Sequence, residues 1–154
     1  MKKFLSLAML ATFAFAAHAA DAPNTLAKIK SSKSVTLAYA QNAAPFSFDD
    51  TKTFKPAGFS ISLCESVVAQ IQRQLGLDAL KINWVAGTTP ERLAMVAEGK
   101  VDMECGVTTT TLKRQEKVDF STVTFIQTGA LLVRSDSGVK KASDLAGKKI
   151  SVVA

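Results

Sequence analysis

The spacing of apolar residues changes several times along the chain, and each change marks an element. Residues 35–39, VTLAY, are short, apolar and β-branched at Val35 and Thr36, which predicts a strand. The next stretch, QNAAPFSFDD, is polar and interrupted by Pro45, and predicts a loop. From Ile61 to Leu75 the apolar positions are Ile61, Cys64, Val67, Val68, Ile71 and Leu75. That is one face of a helix, and Gly76 stands where the helix end would need a positive φ. LKINWVA, residues 80–86, alternates and predicts a second strand.

GTTPERLAMVAEGK carries the signals of a second helix. Thr88 or Thr89 can cap it, Pro90 fits its first turn, and Glu91 stands three residues after Thr88 as in a capping box. Gly99 ends it. VDMEC (101–105) predicts a third strand, TLKRQEK (111–117) a short helix, and FIQTGALLVR (125–134) a long strand. A short helix at 142–145 then leads to a strand beginning at Lys149. Strands alternating with helices imply an α/β fold, a largely parallel sheet flanked by helices. The strand from Lys149 has nothing after it to pair with, so residues 135–154 read as the opening of a truncated second domain.

The start of the chain follows another pattern. Lys2 and Lys3 precede an apolar run from Phe4 to Ala17, and Ala17-His18-Ala19 is a small-x-small cleavage site. This predicts a signal peptide over residues 1–19 and export, since the run is too short to span a membrane comfortably. With Lys2 and Lys3 gone, the formal charge of +6 falls by two, to about +4. The lysines are scattered, as on an ordinary solvated surface, and no nucleic-acid partner is expected.

His18, the one histidine, lies in that leader. Histidine-dependent nucleophile pairs and histidine-ligated metal sites are therefore excluded from the mature chain. Cys64 and Cys105 are too few for a zinc site. In an exported protein they suit one disulfide, with two buried thiols as the alternative. No cofactor and no metal is expected.

Ligands of open α/β sheets gather beyond the carboxyl ends of the strands. The loops after the three strands bring Pro45, Phe46 and Phe48, then Thr88, Thr89 and Arg92, then Gly106 to Thr111 with Arg114. Gly106 lets backbone approach a ligand, Thr108 to Thr111 offer hydroxyls and amides at a helix start, and Arg114 can grip a carboxylate with two parallel bonds. The competing reading is a capped helix with a surface arginine. Arg92 alone reads as a surface residue, Phe46 and Phe48 as core, and Asp102, Glu104 and Asp119 as solvated or capping carboxylates.

The order APFSF, GFSISLCESVVAQI, NWVAGTTPERLAMVAEGKVDMECGVTTTTLKRQEKVDFS and TGALLVRSDSGVKKASDLAGKKISVV resembles the periplasmic solute-binding proteins for polar amino acids. It is most similar to the glutamate/aspartate-binding branch of ABC uptake systems. The resemblance implies a two-lobed Venus-flytrap fold, with residues 20–134 as the first lobe and 135–154 as the exit into the second. It implies that Arg114 and Thr109 hold the α-carboxylate, and that Arg92 and Thr89 address an acidic side chain. Val107 and Phe46 would line the site, and Cys64 would pair with Cys105. Two positions depart from that branch: Ala40 replaces a further arginine, and Val107 a serine. The function implied is periplasmic binding of an acidic L-amino acid by a monomer, without enzymatic activity, for delivery to membrane permease subunits. The alternatives are a secreted cyclohexadienyl dehydratase-like enzyme and the input domain of a receptor.

Overall fold

Asn24 opens the first helix, its side chain accepting from the Ala27 amide at 3.0 Å. The computed structural model describes residues 24–151, so the expected leader lies outside the described residues. The chain divides after Val118 into two units. In the first, helix α1 (Thr25–Ser32) leads into β1 (Ser34–Tyr39). Three short strands follow: β2 (Asn42–Ala43), β3 (Ser47–Asp49) and β4 (Pro56–Ala57). Then come α2 (Phe59–Gln74), β5 (Lys81–Ala86), α3 (Thr89–Ala97), β6 (Met103–Cys105) and α4 (Leu112–Gln115).

The main sheet has the order β5-β1-β6, and both pairings are parallel. This is the α/β arrangement that the alternation of elements predicts. Val35, Leu37 and Tyr39 point to one face of β1, where they meet Ile29 of α1, Ile61, Cys64 and Val68 of α2, and Cys105. Leu37 is wholly buried. Each large aliphatic side chain removed from water here contributes about 1.5–3 kcal/mol. Helix α3 packs against β1 and β6. Its start carries the expected capping box: Glu91 accepts from the Thr88 amide and hydroxyl, each at 2.7 Å. Those bonds hold the Glu91 carboxyl below its ordinary range.

The stretch expected as a loop instead carries β2 and β3, which with β4 form a small antiparallel sheet in the order β2-β3-β4. Strands of two and three residues are too short to leave a periodic trace. This sheet is fastened to the end of β1. The buried Ser47 hydroxyl donates to the Ala40 carbonyl and accepts from its amide, each at 2.9 Å. The Tyr39 hydroxyl donates to Asp49 at 2.7 Å, and Gln41 supports the other Asp49 oxygen at 2.8 Å. Burial, then the bond to Asp49 and its charge, push the Tyr39 phenol up to about 12.

Helix α2 begins on the same loop. Its Phe59 and Ser60 amides donate to the carbonyls of Pro45 and Phe46 at 3.0 and 2.9 Å. Gly58 makes this possible: it sits at φ 121, and a Cβ there would run into both carbonyl oxygens. At its other end Gly76 has φ 64, the positive value expected of it.

In the second unit, residues 125–134 do not form the predicted strand. Among the described residues no strand is found after Cys105, and a strand is a property of pairing as much as of sequence. Arg134 makes a two-pronged pair with Asp136 at 2.9 and 2.7 Å. The predicted short helix is a 3-10 turn over Ala142–Leu145, with Asp144 accepting from the Lys140 and Lys141 amides. The strand expected from Lys149 is absent at 149–151, and residues 152–154 lie outside the described residues.

Candidate anion site

The parallel register aligns the ends of the three main strands. Tyr39 stands opposite both Ala86 of β5 and Cys105 of β6. The loops after these strands therefore leave from one rim, and the Gly87 amide bonds the Tyr39 carbonyl at 3.2 Å. Two fastenings tie the third loop to α2. Cys64 and Cys105 form a disulfide, and the Ser60 hydroxyl donates to the Gly106 carbonyl at 2.8 Å. The cross-link closes a separation of 41 residues, which in the chain-entropy account stabilises by about 4 kcal/mol.

Arg92 is only 2% exposed, so its reading as a surface residue is corrected. Nε donates to Glu104 Oε1 at 2.7 Å, and Nη1 to the Gly87 carbonyl at 2.5 Å. Nη2 reaches the hydroxyls of Thr89 at 3.1 Å and Thr108 at 3.4 Å. The Thr108 hydroxyl also meets Glu104 Oε1 at 3.2 Å. A buried guanidinium needs such a set, because an unpaired charge there would cost several kcal/mol. Gly106 completes it: a Cβ at that position would strike Glu104 and lie 3.0 Å from Arg92 Nη2. Asp102 is also partnered, taking Lys28 at 2.7 Å and the Thr36 amide at 2.8 Å. Neither carboxylate is a solvated bystander. Their charged partners, Lys28 and Arg92, are 74 and 12 positions away, and the one local signal is the i, i+2 spacing of Asp102 and Glu104.

Arg114 sits differently. It is partly exposed, and its only side-chain bond among the described residues runs from Nη1 to the Thr109 carbonyl at 2.6 Å. Helix α4 is a single turn, so its dipole is small, and Thr111 is its cap, accepting from the Arg114 amide at 3.3 Å. The capping reading thus holds for Thr111, while Thr109 and Thr110 are exposed beside Arg114.

The remaining candidates line the same rim. Thr89 is half-buried beside Arg92, and Val107 is 47% exposed. Phe46 is half-buried, edge-on to Phe59 at 6.0 Å between centroids. Ala40 is buried, with its backbone held by Ser47. The rim thus carries one buried guanidinium with four acceptors, one partly exposed guanidinium, hydroxyls and apolar surface. It can hold a small ligand with an anionic group and a polar end.

These elements are those of a solute-binding lobe, and residues 35–152 match the bacterial extracellular solute-binding proteins, family 3. The chain belongs to that family. It is similar to the L-glutamate/L-aspartate-binding protein of Pseudomonas aeruginosa, 36% identical over 151 residues, 97% of this chain and 50% of that protein. It is also similar to the glutamate/aspartate import solute-binding protein of Salmonella typhimurium, 30% identical over 140 residues, 88% of this chain and 46% of that one. Among solved structures it resembles an ancestral cyclohexadienyl dehydratase, with TM-score 0.54 and 28% identity over 65% of this chain and 38% of that one. The chain spans about half the length of the curated relatives it matches.

Proposed function

We propose that this chain is the first lobe, residues 20–134, and the entry to the second, residues 135–154, of a periplasmic amino-acid-binding protein. It binds a polar, acidic L-amino acid, glutamate or aspartate, as a monomer and without catalysis, for delivery to the membrane permease of an ABC transporter. The observation that carries the reading is Arg114, held by one bond to the Thr109 carbonyl with its other donors available. A guanidinium placed so suits the two oxygens of an α-carboxylate. The ligand side chain then lies toward Thr89 and Arg92. The names of the relatives support the acidic class and a binding role.

The test is an NMR titration of the chain with glutamate, aspartate, glutamine and arginine at millimolar levels. Shifts centred on Thr109 and Arg114 are expected, strongest with the acidic ligands. A dispersed spectrum that moves with none of the four would sink the assignment.

A further inference from the structure

We propose that Glu104 sets how strongly this site separates an acidic from a neutral polar side chain, by offsetting the charge of Arg92. The proposal rests on the amino-acid-binding reading and names a residue that no part of that reading assigned. Arg92 Nε and Glu104 Oε1 are 2.7 Å apart, with side-chain exposures of 3% and 15%. At that distance and burial the two charges act outward as a dipole of net charge zero. The guanidinium cannot turn away to expose its charge: Gly87, Thr89 and Thr108 hold its other nitrogens, and Gly106 lies against the pair.

A ligand carboxylate arriving at Thr89 therefore meets a hydroxyl backed by a compensated arginine. A ligand amide meets the same hydroxyl at little disadvantage. Full discrimination would need the positive charge unmasked. Removing the Glu104 charge, roughly 12 Å from a ligand carboxylate across Arg92 and Thr89, is worth roughly a tenfold change in affinity at an effective dielectric of about 20. Glu104 acts through Arg92 and is a positioning residue, with no contact to the ligand required.

Two measurements test this on the whole chain by NMR titration. In the unmodified protein, glutamate should bind no more than about tenfold tighter than glutamine. Glu104→Gln keeps an acceptor for Arg92 Nε and removes only the charge, so the glutamate-to-glutamine affinity ratio should rise about tenfold. Glu104→Asp keeps the charge, and its ratio should stay near the starting value. A Gln variant with an unchanged ratio, or one that loses both ligands in parallel, would make Glu104 a structural support and overturn the proposal. A ratio far above tenfold in the unmodified protein would overturn it without any variant. If the unmodified chain binds neither ligand, the amino-acid-binding reading itself fails and this proposal with it.

Discussion

Arg92 and Arg114 stand on the same rim and have the same chemistry, yet their surroundings are opposite. Arg92 is buried among a carboxylate, a carbonyl and two hydroxyls, while Arg114 leans on one carbonyl and opens to solvent. The first has its partners supplied by folding. The second has most of its donors left over. A guanidinium saturated by its own protein contributes to stability and to the local field, and one left partly unpaired is available to a ligand. The difference separates roles that the residue type alone leaves merged.

The largest effect that tests this contrast is on stability. Arg92→Ala leaves Glu104 without its partner, and breaking a buried pair costs about 3–5 kcal/mol. Glu104 keeps 15% of its side-chain exposure, so the low end, about 3 kcal/mol, is expected in urea denaturation. A loss below about 0.5 kcal/mol would show the pair to be no more than a surface contact. Arg114→Ala should do the reverse. Its stability should change by less than about 0.5 kcal/mol, while affinity for every amino acid falls by about 2 kcal/mol or more, the scale of a lost charge-assisted grip. Equal stability losses in the two variants would erase the distinction.

Much of this was legible in the sequence, and what was not has a common cause. The strand at 35–39, the helix from Ile61 and the capping box at Thr88 each follow from spacing within a few residues. Helix α1 leaves no periodic trace because TLAKIKSS carries only two large apolar residues, and only Ile29 is buried. The burial of Arg92 depends on Glu104, twelve positions away and on another element. Residues 125–134 err the other way: their composition suits a strand, but pairing is decided by what lies alongside.

A further effect concerns the fastening of the first loop. The Tyr39 phenol has an unfolded-state pKa near its ordinary 10 and a folded value of about 12, so the folded state favours the protonated form. Its contribution is complete below pH 10 and is lost as the pH rises from 10 through 12. Stability measured over that window should fall less steeply in Tyr39→Phe than in the unmodified chain. Parallel slopes would show that folding does not hold the Tyr39 phenol protonated.

The opening turns of α2 bear on how the whole rim moves. Phe59 and Ser60 hold the Pro45–Phe46 loop from below, while Ser60 and Cys64, one turn apart on the same side, hold Gly106 and Cys105. A helix pinned in this way works like the spine of a bound book: its pages can tremble, but they cannot shift out of register. The first and third loops are thus tied to one helix, and these bonds restrict their relative motion once the chain folds. A ligand that bridges them has that much less motion to arrest on arrival.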